Sequence, residues 1–110
     1  MTFAPLLAAN PAGAAGMLSE QAARAKGVSI LLGDPYGKTR AAVGEAIRDA
    51  ELHKDGETRA CGTVKHAAWE FHVVVVTPDK DAYDNGVIDG YLALDARDGK
   101  LLCTNLPLLD

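Results

Sequence analysis

The side chains that could do chemistry gather between residues 79 and 98, where six Asp stand against Lys80 and Arg97. Asp79, Asp81, Asp84, Asn85 and Asp89 offer the hard oxygen atoms that calcium accepts. A helix-loop-helix calcium site needs Gly at the sixth loop position for its sharp turn, and counted from Asp79 that position is Asp84. A solvated acidic turn or a displayed recognition loop fits the spacing better, because loops carried on a sheet often hold binding residues. Tyr83, an aromatic amid carboxylates, is the kind of anchor that interfaces favour. Asp79, Asp81, Tyr83, Asp84 and Asp89 are therefore the expected partner-binding residues.

Other constellations exclude more than they offer. His53, His66 and His72, with Cys61 and Glu70, are of the types that zinc accepts, but they lack the paired spacing of structural sites and form no His-Glu-x-x-His run. No metal site is expected from them. Gly33-Asp34-Pro35-Tyr36-Gly37-Lys38-Thr39 imitates a phosphate-binding loop, yet three residues separate its glycines where four are required, and Pro35 has no amide to donate. A helix cap is the expected role. Asp89 and Asp95 share one strand face, but six residues of strand put them roughly 20 Å apart, too far to act on one bond. With no Ser, Cys or Lys in the local setting of an activated nucleophile, no catalytic residue and no cofactor are assigned.

The chain of 110 residues carries a net charge of −4, distributed unevenly. Residues 1–55 hold six basic and six acidic side chains, and residues 56–110 hold five and nine. The excess negative charge repels phosphate backbones, which disfavours nucleic acid and leaves a basic protein as the attracted partner. Cys61 and Cys103 are too far apart for a Cys-x-x-Cys pattern, and two reduced, buried thiols in a cytoplasmic protein are expected, with a disulfide as the alternative if their strands are neighbours. Residues 1–16 have the small apolar flavour of an export signal but no Lys or Arg, and Pro5, Asn10 and Pro11 interrupt them, so they read as mature sequence. No run approaches the roughly 18 apolar residues of a membrane span.

The elements that must hold these residues read as one α+β domain over residues 1–110. Asn10-Pro11 could start a helix of about 12–26 that stops at Gly27, and Val28 to Leu32 reads as a short buried strand. Asp34-Pro35 then opens the main helix, about 36–53, with Val43, Ala46, Ile47 and Ala50 at helical spacing. Thr58 to Lys65 reads as a polar, half-exposed strand. Trp69, Phe71, Val73 and Val75 mark one face of a central strand whose other face carries Glu70, His72, Val74 and Val76. After the loop from Thr77 to Gly86 comes a strand from Val87 to Ala96, with Gly90 as a candidate bulge, and an Arg97-Asp98-Gly99 corner leading to Lys100 to Thr104. A four- or five-stranded, mainly antiparallel sheet packed by the main helix follows. The apolar Val74, Val76 and Leu106 to Leu109 predict a second covered face.

Trp69 to Val75, Gly90-Tyr91-Leu92-Ala93-Leu94-Asp95-Ala96 and Asp98-Gly99-Lys100-Leu101-Leu102 together resemble the strand pair of PepSY-like domains and of small bacterial proteins with a cystatin-like sheet. The same stretch looks like YrhB-type proteins, a group associated with immunity against bacterial toxins. The long acidic loop sets the chain apart from secreted PepSY inhibitors. The resemblance and the charge imply a non-enzymatic module that inhibits a basic toxin through its acidic loop. The alternatives are a small-ligand protein or small enzyme with a pocket between helix and sheet and His72 or Tyr91 at its mouth, and a structural homodimer.

Overall fold

A computed structural model describes residues 16–78, 80–81, 83–107 and 109, with Asp84 described by its backbone alone. Helix α1 spans Glu20–Leu31, opened by Ser19, whose hydroxyl accepts the Ala22 amide at 3.1 Å. The expected start at Asn10 lies outside the described residues. The expected stop at Gly27 and strand from Val28 to Leu32 are corrected: the helix runs through both, because Ala23, Gly27, Val28 and Leu31 form one buried helical stripe. Gly27 lets this stripe settle close to Leu92, Ile47 and Phe71.

Asp34-Pro35 does not open a helix. Gly33 and Gly37 pair across a tight turn, with the Gly33 amide donating to the Gly37 carbonyl at 2.6 Å. Thr39 is the cap instead, its hydroxyl accepting the Ala42 amide at 3.1 Å, and helix α2 is only Arg40–Ala46. The expected helix over 36–53 thus ends at Ala46, and strand β1, Ile47–His53, takes its second half. The cause is a bulge. Ile47 pairs with Val73, Ala50 with Phe71 and Leu52 with Trp69, with a register shift between Ile47 and Asp49. That extra residue converts the two-residue period of a strand into the three-residue step from Ile47 to Ala50, which imitates a helix.

The sheet has four strands in the order β1, β4, β5, β6, all antiparallel, where β4 is Ala68–Val76, β5 Val87–Asp95 and β6 Leu101–Thr104. This is the α+β architecture that the strand pattern implied, with β4 central. Thr58 to Lys65 is not one strand. It folds into a small hairpin, β2 (Glu57–Thr58) and β3 (Gly62–Thr63), separate from the main sheet. Gly90 makes no bulge; it pairs in register with Val73, and the irregularity lies between Ala93 and Leu94. A Cβ at 90 would sit 2.6 Å from the Asn105 Oδ1 and 2.9 Å from the Leu106 Cδ2, so a larger residue would make those side chains shift.

Pairing residues project to the same side of a sheet, so the register sorts the side chains. Trp69, Phe71, Val73 and Val75, with Leu94, Leu92 and Ile88, face the helices and form the core with Leu31, Tyr36, Val43 and Ile47. Leu106 is buried in this same core and Leu109 packs against it, so these two tail residues serve the helix side rather than a second face. The opposite side carries Asp49, Glu51, His53, Glu70, His72, Asp89, Tyr91 and Cys103. No helix among the described residues is long and apolar enough to cross a membrane.

Candidate functional site

The polar face of the sheet becomes a site because the β2–β3 hairpin is fastened over it. Glu70, in the middle of the central strand, is almost fully buried, and its carboxylate organises the contact. One oxygen accepts the Arg59 amide at 2.9 Å and His53 Nε2–H at 2.9 Å; the other accepts the Ala60 amide at 2.8 Å. A carboxylate in an apolar sheet would be costly without such donors, and here the hairpin turn supplies two of them. The turn is also tied covalently: Cys61 and Cys103 form a disulfide, their Cα atoms 6.3 Å apart. This corrects the expectation of two reduced thiols. Cys103 pairs with Ala93 beside Glu70 on the polar side, and the turn that Glu70 holds delivers Cys61 to it.

Between hairpin and sheet lies a cleft of about 200 Å³ lined by Asp49, Glu51, Arg59, Glu70, His72 and Tyr91. His72 and Tyr91, opposite each other on β4 and β5, stack with ring centroids 4.8 Å apart. The Arg59 guanidinium lies 5.8 Å from the Tyr91 ring centroid and donates from Nε to Glu51 at 3.2 Å. Hydrogen bonding to Arg59 holds the Glu51 carboxyl below its ordinary range, against a smaller opposing effect of burial. His72 Nε2 donates to Asp89 at 2.7 Å, and its Nδ1 lies 3.9 Å from Asp49. The cleft is therefore an acidic trough floored by an aromatic pair, with one guanidinium from the hairpin already seated on it.

Glu51, His53 and Glu70 bring ligand atoms within 4.8 Å of one another, which is close enough to hold a metal ion. The lone pairs of Glu70 are already committed to two backbone amides and His53, so this trio acts first as the clasp of the hairpin. A second carboxylate, Asp95, is buried at the end of β5. It takes Arg97 in a two-pronged contact at 3.1 and 2.9 Å, and this hydrogen bonding holds its carboxyl below the usual range. The pair shapes the corner to β6 and lies apart from the cleft-lining residues.

The expected partner-binding residues are only partly described. Asp79 lies outside the described residues. The backbone of Asp84 enters a short 3-10 turn, Asp84–Gly86. Asp81 is exposed, and Tyr83 is half-buried with part of its side chain packed against the core. Of the described side chains among them, Asp89 reaches the polar face, through His72. A cavity of about 340 Å³ does lie between α2 and the end of β4, lined by Ala42, Glu45, Ala46, Val74, Val75 and Val76, but His72 and Tyr91, expected at its mouth, border the cleft on the other side. Sequence reasoning missed Arg59 and the clasp of Glu70. The available signal was Glu70 alternating with Trp69 and Phe71 in an otherwise apolar strand, which marks a carboxylate that needs donors.

Comparison of the chain with protein-family models, with curated proteins and with solved structures finds no match. The site must therefore be read from its own chemistry.

Proposed function

We propose that this protein is a non-enzymatic protein-binding module whose acidic sheet face captures a basic segment of a partner protein. An immunity-type inhibitor of a basic toxin, as the PepSY-like and YrhB-like resemblance implies, is its most concrete form. One observation carries the reading: the register brings exposed Asp49, Glu51 and Asp89 to one face around the stacked His72 and Tyr91. Carboxylates beside an aromatic face suit a guanidinium, which gains from both. Arg59 of this chain already occupies such a place.

The size of the cleft favours a partner's side chain over a whole metabolite. Its volume of about 200 Å³ lies below the roughly 300–1,000 Å³ of small-molecule pockets. The disulfide supports a workplace where such bonds persist, an oxidising compartment rather than the cytoplasm expected from sequence.

The test is fluorescence anisotropy of a labelled arginine-rich peptide, with its citrulline counterpart as the uncharged control. Asp49→Asn with Asp89→Asn should weaken binding about fivefold at low salt, taking about 0.5 kcal/mol for each exposed charge pair. Asp81→Asn, on the loop, should do less. Equal affinity of the double variant and the native protein, or equal binding of the citrulline peptide, would refute the reading. A twofold mass in light scattering, with the cleft residues protected by self-association, would replace it with the homodimer.

A further inference from the structure

We propose that the Cys61–Cys103 disulfide is a redox latch, holding the tip of the β2–β3 hairpin over the acidic cleft when oxidised and releasing it when reduced. The tip, residues 59–61, is fastened to the sheet in two places. Arg59 and Ala60 donate their amides to Glu70, and Cys61 is bonded to Cys103 on β6. The base of the hairpin is anchored separately, by the Gly56 amide to the His53 carbonyl at 3.1 Å and the Val64 amide to the Gly56 carbonyl at 2.8 Å. Within the tip, the Thr58 hydroxyl donates to the Gly62 carbonyl at 2.7 Å and accepts the Cys61 amide at 3.2 Å. The tip is thus a small preformed unit on a fixed base, able to lift without unpairing the main sheet.

Cys61 is exposed and Cys103 half-buried, so a dithiol reductant can reach the bond from the hairpin side. Its thiolate attacks the Cys61 Sγ, the disulfide breaks, and Cys103 leaves as a thiolate that takes up a proton. The second thiol of the reductant, deprotonated, then attacks the mixed disulfide. Cys61 is released as a thiol and the reductant departs as a disulfide, so two electrons and two protons have passed to the cysteine pair. The tip is then held without a covalent tie, by the two amide bonds to Glu70 and by the exposed Arg59 contacts with Glu51 and Tyr91, non-covalent contacts of modest net strength that can open and close. Arg59 moves with the tip, and its departure uncovers Glu51 and the Tyr91 face.

The latch rests on the binding reading only for its purpose, since the cleft it uncovers is the one assigned to a basic partner. Its test needs no partner. Amide exchange is followed by NMR in the oxidised protein, in protein fully reduced with dithiothreitol, and in the Cys61→Ser variant. In both bond-free forms the Arg59 and Ala60 amides should exchange about tenfold or more faster, beyond any change in the β4 and β5 amides, which remain protected. Unchanged protection at Arg59 and Ala60 would overturn the latch. So would an equal acceleration throughout the sheet, because the bond would then support the whole fold rather than the tip. Absence of peptide binding by both the oxidised and the reduced protein would refute the binding reading and leave these exchange rates as they are.

Discussion

Replacing Glu70 with Gln removes one oxygen from the clasp and nothing from its volume. The carboxamide can keep its oxygen at the position that accepts Arg59 and His53, each at 2.9 Å. Its NH₂ then meets the Ala60 amide, whose 2.8 Å bond becomes two donors facing each other. Turning the amide over saves Ala60 and opposes Arg59 and His53 instead, which is worse. One charge-assisted hydrogen bond is lost and one partly buried amide is left unpaired, together about 2 kcal/mol after allowance for a tip that can turn toward water. For a domain of this size that lowers Tm by about 8 °C. Thermal unfolding followed by circular dichroism measures the shift. Glu70→Gln combined with Cys103→Ser, set against each single variant, measures whether the two fastenings are coupled. A Tm within about 1 °C of the native value, or strict additivity of the pair, would refute the claim that carboxylate and disulfide hold one turn.

Gly27→Ala should stabilise the protein by up to about 1 kcal/mol in urea unfolding, because a mid-helix glycine is replaced and the new Cβ meets Leu92, Ile47 and Phe71 at 3.5–3.8 Å, ordinary contact distances. Gly90→Ala should do the reverse, costing about 1–3 kcal/mol by the same measurement, since its Cβ would lie 2.6 Å from the Asn105 Oδ1 that accepts the Tyr91 amide. Burial, and to a lesser extent Tyr83, pushes the Tyr36 phenol up to about 12, while in the unfolded chain it ionises near the ordinary value of 10.0. The unfolded state then holds fewer protons than the folded one between those values, so stability falls from about pH 10 to about pH 12, by on the order of 2 kcal/mol. Denaturant titrations across that range should show the fall in the native protein and a smaller one in Tyr36→Phe.

The strands from Trp69 onward were legible because Trp69, Phe71, Val73 and Val75 recur at every second position and Asp-Gly closes the last corner. The helices were not, and for definite reasons. Ser19 and Thr39 start them, but Asn10-Pro11 and Asp34-Pro35 carry the more conspicuous signals. Gly27 looked like a stop, whereas it is a place where α1 packs against Leu92, Ile47 and Phe71. Ile47 and Ala50 looked helical because the bulge at Arg48 and Asp49 inserts one residue into a strand. The same error hid the site: with 47–53 read as helix, Asp49, Glu51 and His53 could not be placed beside Glu70 and His72. The acidic loop was visible by composition alone, and composition does not show that part of the Tyr83 side chain packs against the core.

The bulge also accounts for why the chemistry sits on the side away from the helices. After it, β1 returns to a two-residue period with Ala50 and Leu52 toward the core, which forces Asp49, Glu51 and His53 onto the other side. On β4 and β5 the same alternation sends Glu70, His72, Asp89 and Tyr91 there. Carboxylates from three neighbouring strands then share one surface, and their mutual repulsion must be offset by donors. Arg59, the Arg59 and Ala60 amides and the two histidines supply these, and the hairpin brings the first three. An acidic face left uncovered would lose that compensation, which is why the same hairpin both completes the fold and controls access to the cleft beneath it.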